Sequence, residues 1–511
     1  MWHVLTLQPS TAPPLPPPPS YQDASAQLSR AVEGGVNFFD TAEMYPVPQR
    51  AETQVTFFDT AEMYPVPQRA ETQVTFFDTA EMYPVPQRAE TQVNFFDTAE
   101  MYPVPQRAET QVTFFDTAEM YPVPQRAETQ GSSEAYLGRW LAASGIPRDK
   151  LIVATKVAGP SAQMTWIRGG PCALDPVNIT SAIDTSLQRL KCDYIDLLQL
   201  HWPDRYVPMF GDWEFDPRCD YSEYSPFEAQ LEALGRAVEA GKVRYIGLSN
   251  ETAWGLGKFL EAAAPSSSSS SSSPLRPRPI ALQNAYSLLC RTFDSTLAES
   301  CHHETIPLLA YSPLAMGLLS GKYHCSPQML SGDYRSSPSA DPASSAEAAT
   351  SADAATSASV DTALLLTQSL DLHQSSDPTS NYRIFQDPSW RLVKYRNRYA
   401  EAEGRYPISN LRVATAVQAY ADVARRFHVS PVQLALSFVL AHPLVGAAVV
   451  GASSLEQLEE ILSVVGEGGG GGRGSGEGGT RGNGSGNGIE FTEEMWAAVD
   501  AIHAVLPNPT P

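Results

Sequence analysis

Seven short apolar runs recur along the chain, and most of them end on a polar or ring-bearing residue. They are VNFFDTAEMY (36–45), LIVATK (151–156), YIDLLQLH (194–201), VRYIGLSN (243–250), PIALQN (279–284), IPLLAYS (306–312) and LVGAAVVGAS (444–453). Runs this short and this continuously apolar read as strands buried on both faces, the pattern of parallel strands in βα units. Eight such units close into a (β/α)8 barrel, an α/β fold in which the C-terminal ends of the strands converge on one face. Here those ends carry Asp and Tyr, then Lys, then His. Such residues move protons; they do not pack a core.

The first of these runs belongs to a tandem repeat. FFDTAEMYPVPQRAETQ occurs five times with a 19-residue period, its Asp at 40, 59, 78, 97 and 116. A unit with two prolines offers one short strand and a loop, so a stacked solenoid is a poor reading. One copy is expected at the second strand position and the others form an excursion. Copy one and copy five both remain open. Copy five is favoured because it runs through Gly131-Ser132-Ser133-Glu134, a capping pattern, into a helical stretch at 135–144. Lengthening a loop to about eighty residues costs only about 2.7 kcal/mol of chain closure, so either choice is tolerable. The spare VTFF segments are an aggregation hazard, softened by Pro and charge.

Further stretches have no hydrophobic period: a Pro-rich leader at 1–20, a Ser tract at 265–279, a Ser/Ala/Asp stretch at 324–380 and a Gly-rich stretch at 466–488. Without them and the spare repeats, about 320 residues of the 511 remain, enough for one barrel with extra helices over 21–505 and a short tail at 506–511. The net charge of −22 shrinks to about −8 on the same subtraction, which suits neither nucleic acid nor an anionic membrane. Six scattered cysteines and no visible signal peptide point to a reducing compartment, with the cytoplasm expected and a plastid left open. No apolar run approaches a membrane span.

Carbonyl reduction explains the polar strand ends. A hydride from a nicotinamide leaves an alkoxide to be protonated, and Tyr is a poor acid at its free pKa of about 10. A buried Lys stabilises the phenolate, an Asp holds the ammonium, and a His orients the carbonyl. Asp116 and Tyr121, or Asp40 and Tyr45 from the other copy, supply those parts with Lys156 and His201. Singly, a strand-end Lys is a solvated cap and a lone His a structural residue. Their succession on consecutive strands gives the set its meaning.

At this point the chain resembles the aldo-keto reductase family, in particular its branch of Tas-like reductases and potassium-channel β subunits. The segments that carry the likeness are DTAEMYPVPQRAETQG, ATKVAGP, LKCDYIDLLQLHWP, GKVRYIGLSNET, LQNAYSLL, AYSPLAMGLLSGKY and GASSLEQLEE. The resemblance implies a (β/α)8 barrel that reduces aldehydes and ketones with NADPH. It implies Tyr121 as general acid, Lys156 and Asp116 as its tuners and His201 as the group that orients substrate. It further implies that Ser249, Asn250 and Gln283 bind the nicotinamide carboxamide and that Tyr311 stacks on its ring. Ser312, Leu314, Gly317 and Lys322 would line the pyrophosphate, Ser453 and Gln457 the ribose phosphate, and Glu460 the adenine. Two departures stand out. Ile461 replaces an Asn common in the family, and no ordinary first strand precedes the helical stretch at 23–33. Residues 3–7 or a spare repeat strand must fill the gap, or the barrel stays incomplete.

Other signals are weaker. Cys301-His302-His303-Glu304 has no partner set at metal-ligand spacing, so no metal is expected. YPVPQR could serve a protein partner, although PxxP is absent. Trp166, Trp202, Phe210 and Trp213 lie in loops beside the expected active face, as a substrate pocket or as a cap. The alternative to a reductase acting on a small carbonyl is a nucleotide-binding regulatory or scaffold protein, or a product with a damaged barrel.

Overall fold

Strands pair in chain order through an all-parallel eight-stranded sheet. They are β1 (Phe39–Asp40), β2 (Thr113–Asp116), β3 (Leu151–Val157), β4 (Ile195–Leu200), β5 (Val243–Ser249), β6 (Leu282–Ala285), β7 (Leu308–Tyr311) and β8 (Val445–Val449). The computed structural model describes residues 39–40, 113–123, 125–209, 214–219, 224–264, 274–323, 392, 404–407, 410–452, 455–465 and 491–510. Among the described residues no pairing joins β8 to β1, so the sheet is a nearly closed (β/α)8 barrel.

Helices follow the strands as the βα pattern requires. Single helices come after β2 to β5: α1 (Ser132–Ala143), α2 (Pro176–Leu190), α3 (Phe227–Glu239) and α4 (Ala253–Ala263). The short α5 (Thr292–Thr296) and α6 (Ala298–His303) follow β6, and α7 (Leu411–Arg426) and α8 (Pro431–Leu440) follow β7. After β8 come α9 (Leu455–Val465) and α10 (Glu493–Val505). Local chemistry sets their starts. Asp175 accepts from the Val177 and Asn178 amides at 2.8 and 2.9 Å ahead of Pro176, which needs no partner for a missing N–H. Ser430 and Gln433 form a reciprocal capping box on α8.

The start of α1 departs from the expected serine cap. Gly131 is the N-cap at φ 76°, with no side-chain cap bond, and a Cβ there would meet the Arg189 side chain at 2.5 Å. Glu134 does not reach back to the helix end. It accepts from Thr155 Oγ1 at 2.6 Å and from Arg189 at 2.5 Å. A buried carboxylate with a cation in reach takes that partner before a weaker capping bond.

The repeat contributes twice to the sheet. Copy five supplies β2, as favoured from its run into α1. Copy one supplies β1, pairing Phe39 with Phe115 and Asp40 with Asp116. A spare repeat strand therefore stands in the first position, and the run at 36–45 contributes two residues there; it is not the second strand. Identical sequences pair with like residue opposite like because each presents the same face at the same level. Residues 3–7, the helical stretch at 23–33, copies two to four, and the stretches at 324–380 and 466–488 lie outside the described residues.

Two apolar layers hold the barrel. A large cluster fills the space between sheet and helices. A smaller one, with Phe114, Ile152, Ala154, Leu197, Leu309 and Val449 among its members, fills the barrel interior. Interior residues recur every second position, because successive strand side chains face opposite ways. Counting on by two from the interior set gives Asp116, Lys156, Gln199 and then His201, Gln283, and Tyr311. The barrel is apolar at its floor and polar at its mouth.

Candidate active site

Strand register carries the polar residues to a common level. Lys156 pairs across β3–β4 with Gln199, and Ser249 pairs across β5–β6 with Gln283. Lys156 is 1% exposed and donates to Asp116 Oδ2 and, at 3.1 Å, to the Thr117 carbonyl. Both members of this ion pair are buried, so each is held in place by the other; removing either would strand a charge. Burial pushes the Asp116 carboxyl up, and the Lys156 ammonium works against it.

Tyr121 reaches the pair from the loop after β2. Its ring centroid lies 5.1 Å from Lys156 Nζ, and its hydroxyl lies 3.4 Å from His201 Nε2. The two rings meet edge to face at 5.4 Å. His201 follows β4, anchored by its amide on the Val157 carbonyl at 2.9 Å. Burial, with the Lys156 ammonium adding to it, holds the imidazole well below its usual range, so the ring is neutral. Its Nδ1 has no hydrogen-bond partner among the described residues. Trp202 packs against it at 4.8 Å and donates to the Pro160 carbonyl at 2.9 Å. Gly159 permits that approach, since a Cβ there would meet the indole at 2.6 Å. Asp116, Tyr121, Lys156 and His201 are thus together. The side chain of Asp40 and all of Tyr45 lie outside the described residues, as do Phe210 and Trp213.

A second group lies along β5, β6 and β7. Asn250, at φ 54°, donates to the His201 carbonyl at 2.9 Å and accepts from the Tyr311 hydroxyl at 2.6 Å. Ser249 Oγ donates to the Gln283 carbonyl at 2.9 Å. After β7 the backbone turns left-handed at Ser312 (φ 55°), Ala315 (47°), Met316 (54°) and Gly317 (90°). For residues with a Cβ this conformation costs about 1–2 kcal/mol each, and such strain gathers where a loop must present its backbone to a ligand. Leu314 anchors the loop by accepting from Gly317 and Leu319. A Cβ on Gly317 would stand 3.0 Å from Lys322 Nζ, so the glycine keeps open a cradle beside an amine. Amide and hydroxyl groups beside a ring, followed by that cradle, are a donor set that fits a nicotinamide dinucleotide.

Gln457 and Glu460 are exposed on α9, and Glu460 accepts from Ser430 at 3.0 Å. Ser453 lies outside the described residues. Ile461, where an Asn was the familiar residue, is 8% exposed and packs into the outer core.

Three features were missed in the sequence. Arg405 donates to the Tyr311 hydroxyl at 2.6 Å; it lies far along the chain from β7, beyond an aperiodic stretch. Glu119 accepts from Arg168 and, at 2.6 Å, from the Ala158 amide, tying the loop that carries Tyr121 to the loop after β3. Gln199 binds Asp116 and Gln283 inside the barrel. Its alternation with Leu197 and His201 was the available signal.

Comparison with known proteins identifies the family. The model of the Aldo/keto reductase family matches residues 104–467. Protein tas of Escherichia coli is 33% identical over 495 residues, 96% of this chain and 92% of that protein. A Schizosaccharomyces pombe protein named aldo-keto reductase yakc [NADP(+)] is 29% identical over 40% of this chain and 51% of its own length. The NADH-specific methylglyoxal reductase of E. coli is 28% identical over 37% of this chain and 51% of its own length. A nearly closed barrel with a buried Asp–Lys pair, a tyrosine and a neutral histidine at its mouth, matched by the family model over most of its length, makes this chain a member of the aldo/keto reductase family of oxidoreductases.

Proposed function

We propose that the chain reduces an aldehyde or ketone to an alcohol with NADPH, using Tyr121 as the proton donor. The observation that carries this reading is the Tyr121 hydroxyl at 3.4 Å from His201 Nε2, on a ring whose centroid lies 5.1 Å from the ammonium that Asp116 holds. A bound nicotinamide supplies the hydride.

The chain's own residues do the rest. Ser249, Asn250 and Gln283 would hold the carboxamide of the nicotinamide, and Tyr311 would pack on its ring. The substrate carbonyl oxygen sits between the Tyr121 hydroxyl and His201 Nε2. A neutral imidazole with its proton on Nε2 donates to that oxygen and sets the angle of approach. As negative charge grows on the oxygen, Tyr121 releases its proton to it. The Lys156 ammonium stabilises the phenolate left behind, and Asp116 keeps the ammonium from turning away. Trp202 and the barrel floor exclude water, which strengthens each of these interactions.

NADPH is preferred to NADH here on the family likeness and on the relative named for NADP(+). Lys322, beside the Gly317 cradle, takes phosphate charge, while Gln457 and Glu460 attend the adenosine end. The test is NADPH oxidation by the full-length chain with a reactive aromatic aldehyde, run beside NADH. Lys156→Met and Tyr121→Phe should each lower kcat by about a thousandfold. Unchanged turnover in Tyr121→Phe would sink the assignment of copy five. Tight NADPH binding without turnover would favour the regulatory reading.

A further inference from the structure

Gln199 is a fully buried amide in the middle of the barrel mouth, with no part in the chemistry described above. It stands on β4 at the level of Lys156 on β3 and Gly247 on β5. Its Nε2 donates to Asp116 Oδ1 at 2.9 Å, and its Oε1 accepts from Gln283 Nε2 at 3.3 Å. The Asp116 carboxylate is therefore held at both oxygens, Oδ2 by the Lys156 ammonium and Oδ1 by this amide. Gly247 makes the room. A Cβ there would come within 3.2 Å of Gln199 Cγ.

The direction of this chain of contacts is dictated by charge. An ionised carboxylate only accepts, so Gln199 must turn its NH2 toward Asp116. Its carbonyl oxygen then faces Gln283, which answers with its own NH2, and the Asp116 carboxylate draws that same NH2. The Gln283 oxygen is left as the acceptor for the carboxamide NH2 of a nicotinamide. One charge thus orders two neutral amides across three strands.

We propose that Gln199 is a positioning residue for the reaction: it fixes the Asp116 carboxylate against Lys156 and, together with that carboxylate, sets the polarity with which Gln283 meets the nicotinamide. The proposal rests on the reading given under the preceding heading. The titratable groups around Asp116 are Lys156 on β3, Tyr121 in the loop after β2 and His201 after β4, with Asp40 opposite it in register on β1. Removing the Gln199 N–H favours a protonated Asp116 at the expense of the ammonium. Tyr121 then loses the cation that stabilises its phenolate, so it becomes a weaker acid and its limb of the pH profile moves upward.

The test uses the full-length chain and two variants of similar size, Gln199→Met and Gln199→Glu. Gln199→Met should lower kcat about tenfold while the carbonyl KM stays within about twofold, the loss of one hydrogen bond to a charged group. The alkaline limb of its kcat profile should move up by about half a pH unit or more, because the carboxylate has lost a donor. NADPH affinity, read by fluorescence quenching, should weaken about threefold as Gln283 loses its orientation. Gln199→Glu places an acceptor against the carboxylate and should move the limb further; it also decides the matter if Gln199→Met does not fold. An active parent whose variants keep its kcat, or lose kcat with an unmoved limb, overturns the proposal and leaves the reductase reading standing. A parent without turnover, despite binding NADPH, overturns both.

Discussion

A lysine buried beneath a tyrosine is stable only because Asp116 takes its charge, and the same burial leaves His201 unable to accept a proton. That has a measurable consequence for stability. His201 is held well below its usual range in the folded chain, whereas an unfolded histidine titrates near ~6.5. Below that pH the unfolded chain binds a proton that the folded chain refuses. Stability should therefore fall on acidification from about pH 6.5, by at most about 1.4 kcal/mol per pH unit. Asp116 works in the opposite sense: raised in the fold, it contributes stability at low pH that is lost as pH rises through its folded value. Thermal melts of the parent and His201→Gln between pH 7.5 and 5 should separate the two, since Asp116 is common to both. The variant should lose less stability over that range, and parallel curves would show that His201 carries no such linkage. At this scale Lys156 and His201 were legible because each ends an apolar run. Gln199 was not, because a polar residue inside such a run looks like noise until its alternation is counted.

Among the elements, β1 departs most from what its sequence suggested. A ten-residue run was readable as the second strand, yet its described residues, Phe39 and Asp40, stand in the first and pair with the same residues of another copy. The strand ends elsewhere were legible to within a few residues, since buried parallel strands are mostly apolar and the runs stop where turn and loop residues begin. The cap of α1 was not, because Glu134 found Arg189, a partner remote in sequence. Identity among the copies gives β1 a testable redundancy. Phe39→Pro removes a ladder donor, but every later copy carries the same FFDT segment. In the full chain the variant should melt within about two degrees of the parent, whereas with copies two to four deleted it should melt several degrees lower, a loss of about 1–2 kcal/mol. Equal effects in both backgrounds would mean that only copy one can stand beside β2.

From β1 to α10 the described elements form one nearly closed barrel, and aperiodic stretches of sequence stand between them. The stretches at 324–380 and 466–488 follow β7 and α9, and neither has a period that would bury a face. Deleting either with a short Gly-Ser join should leave the melting temperature within about three degrees and NADPH oxidation within about twofold, as loop length costs little. Loss of activity on deleting 324–380 would assign that stretch to the site. Fold class was legible at this scale because seven buried strand-like runs with helical stretches between them admit few arrangements. The contacts of Arg405 were hidden, since chain distance across an aperiodic stretch carries no information about proximity. For the gene, in-register pairing of β1 with β2 has a different consequence. Whole repeat units can be gained or lost in frame by slipped recombination, and the strand that meets β2 stays the same. Individuals could carry different numbers of units at this locus while selection on the catalytic face passed over the difference.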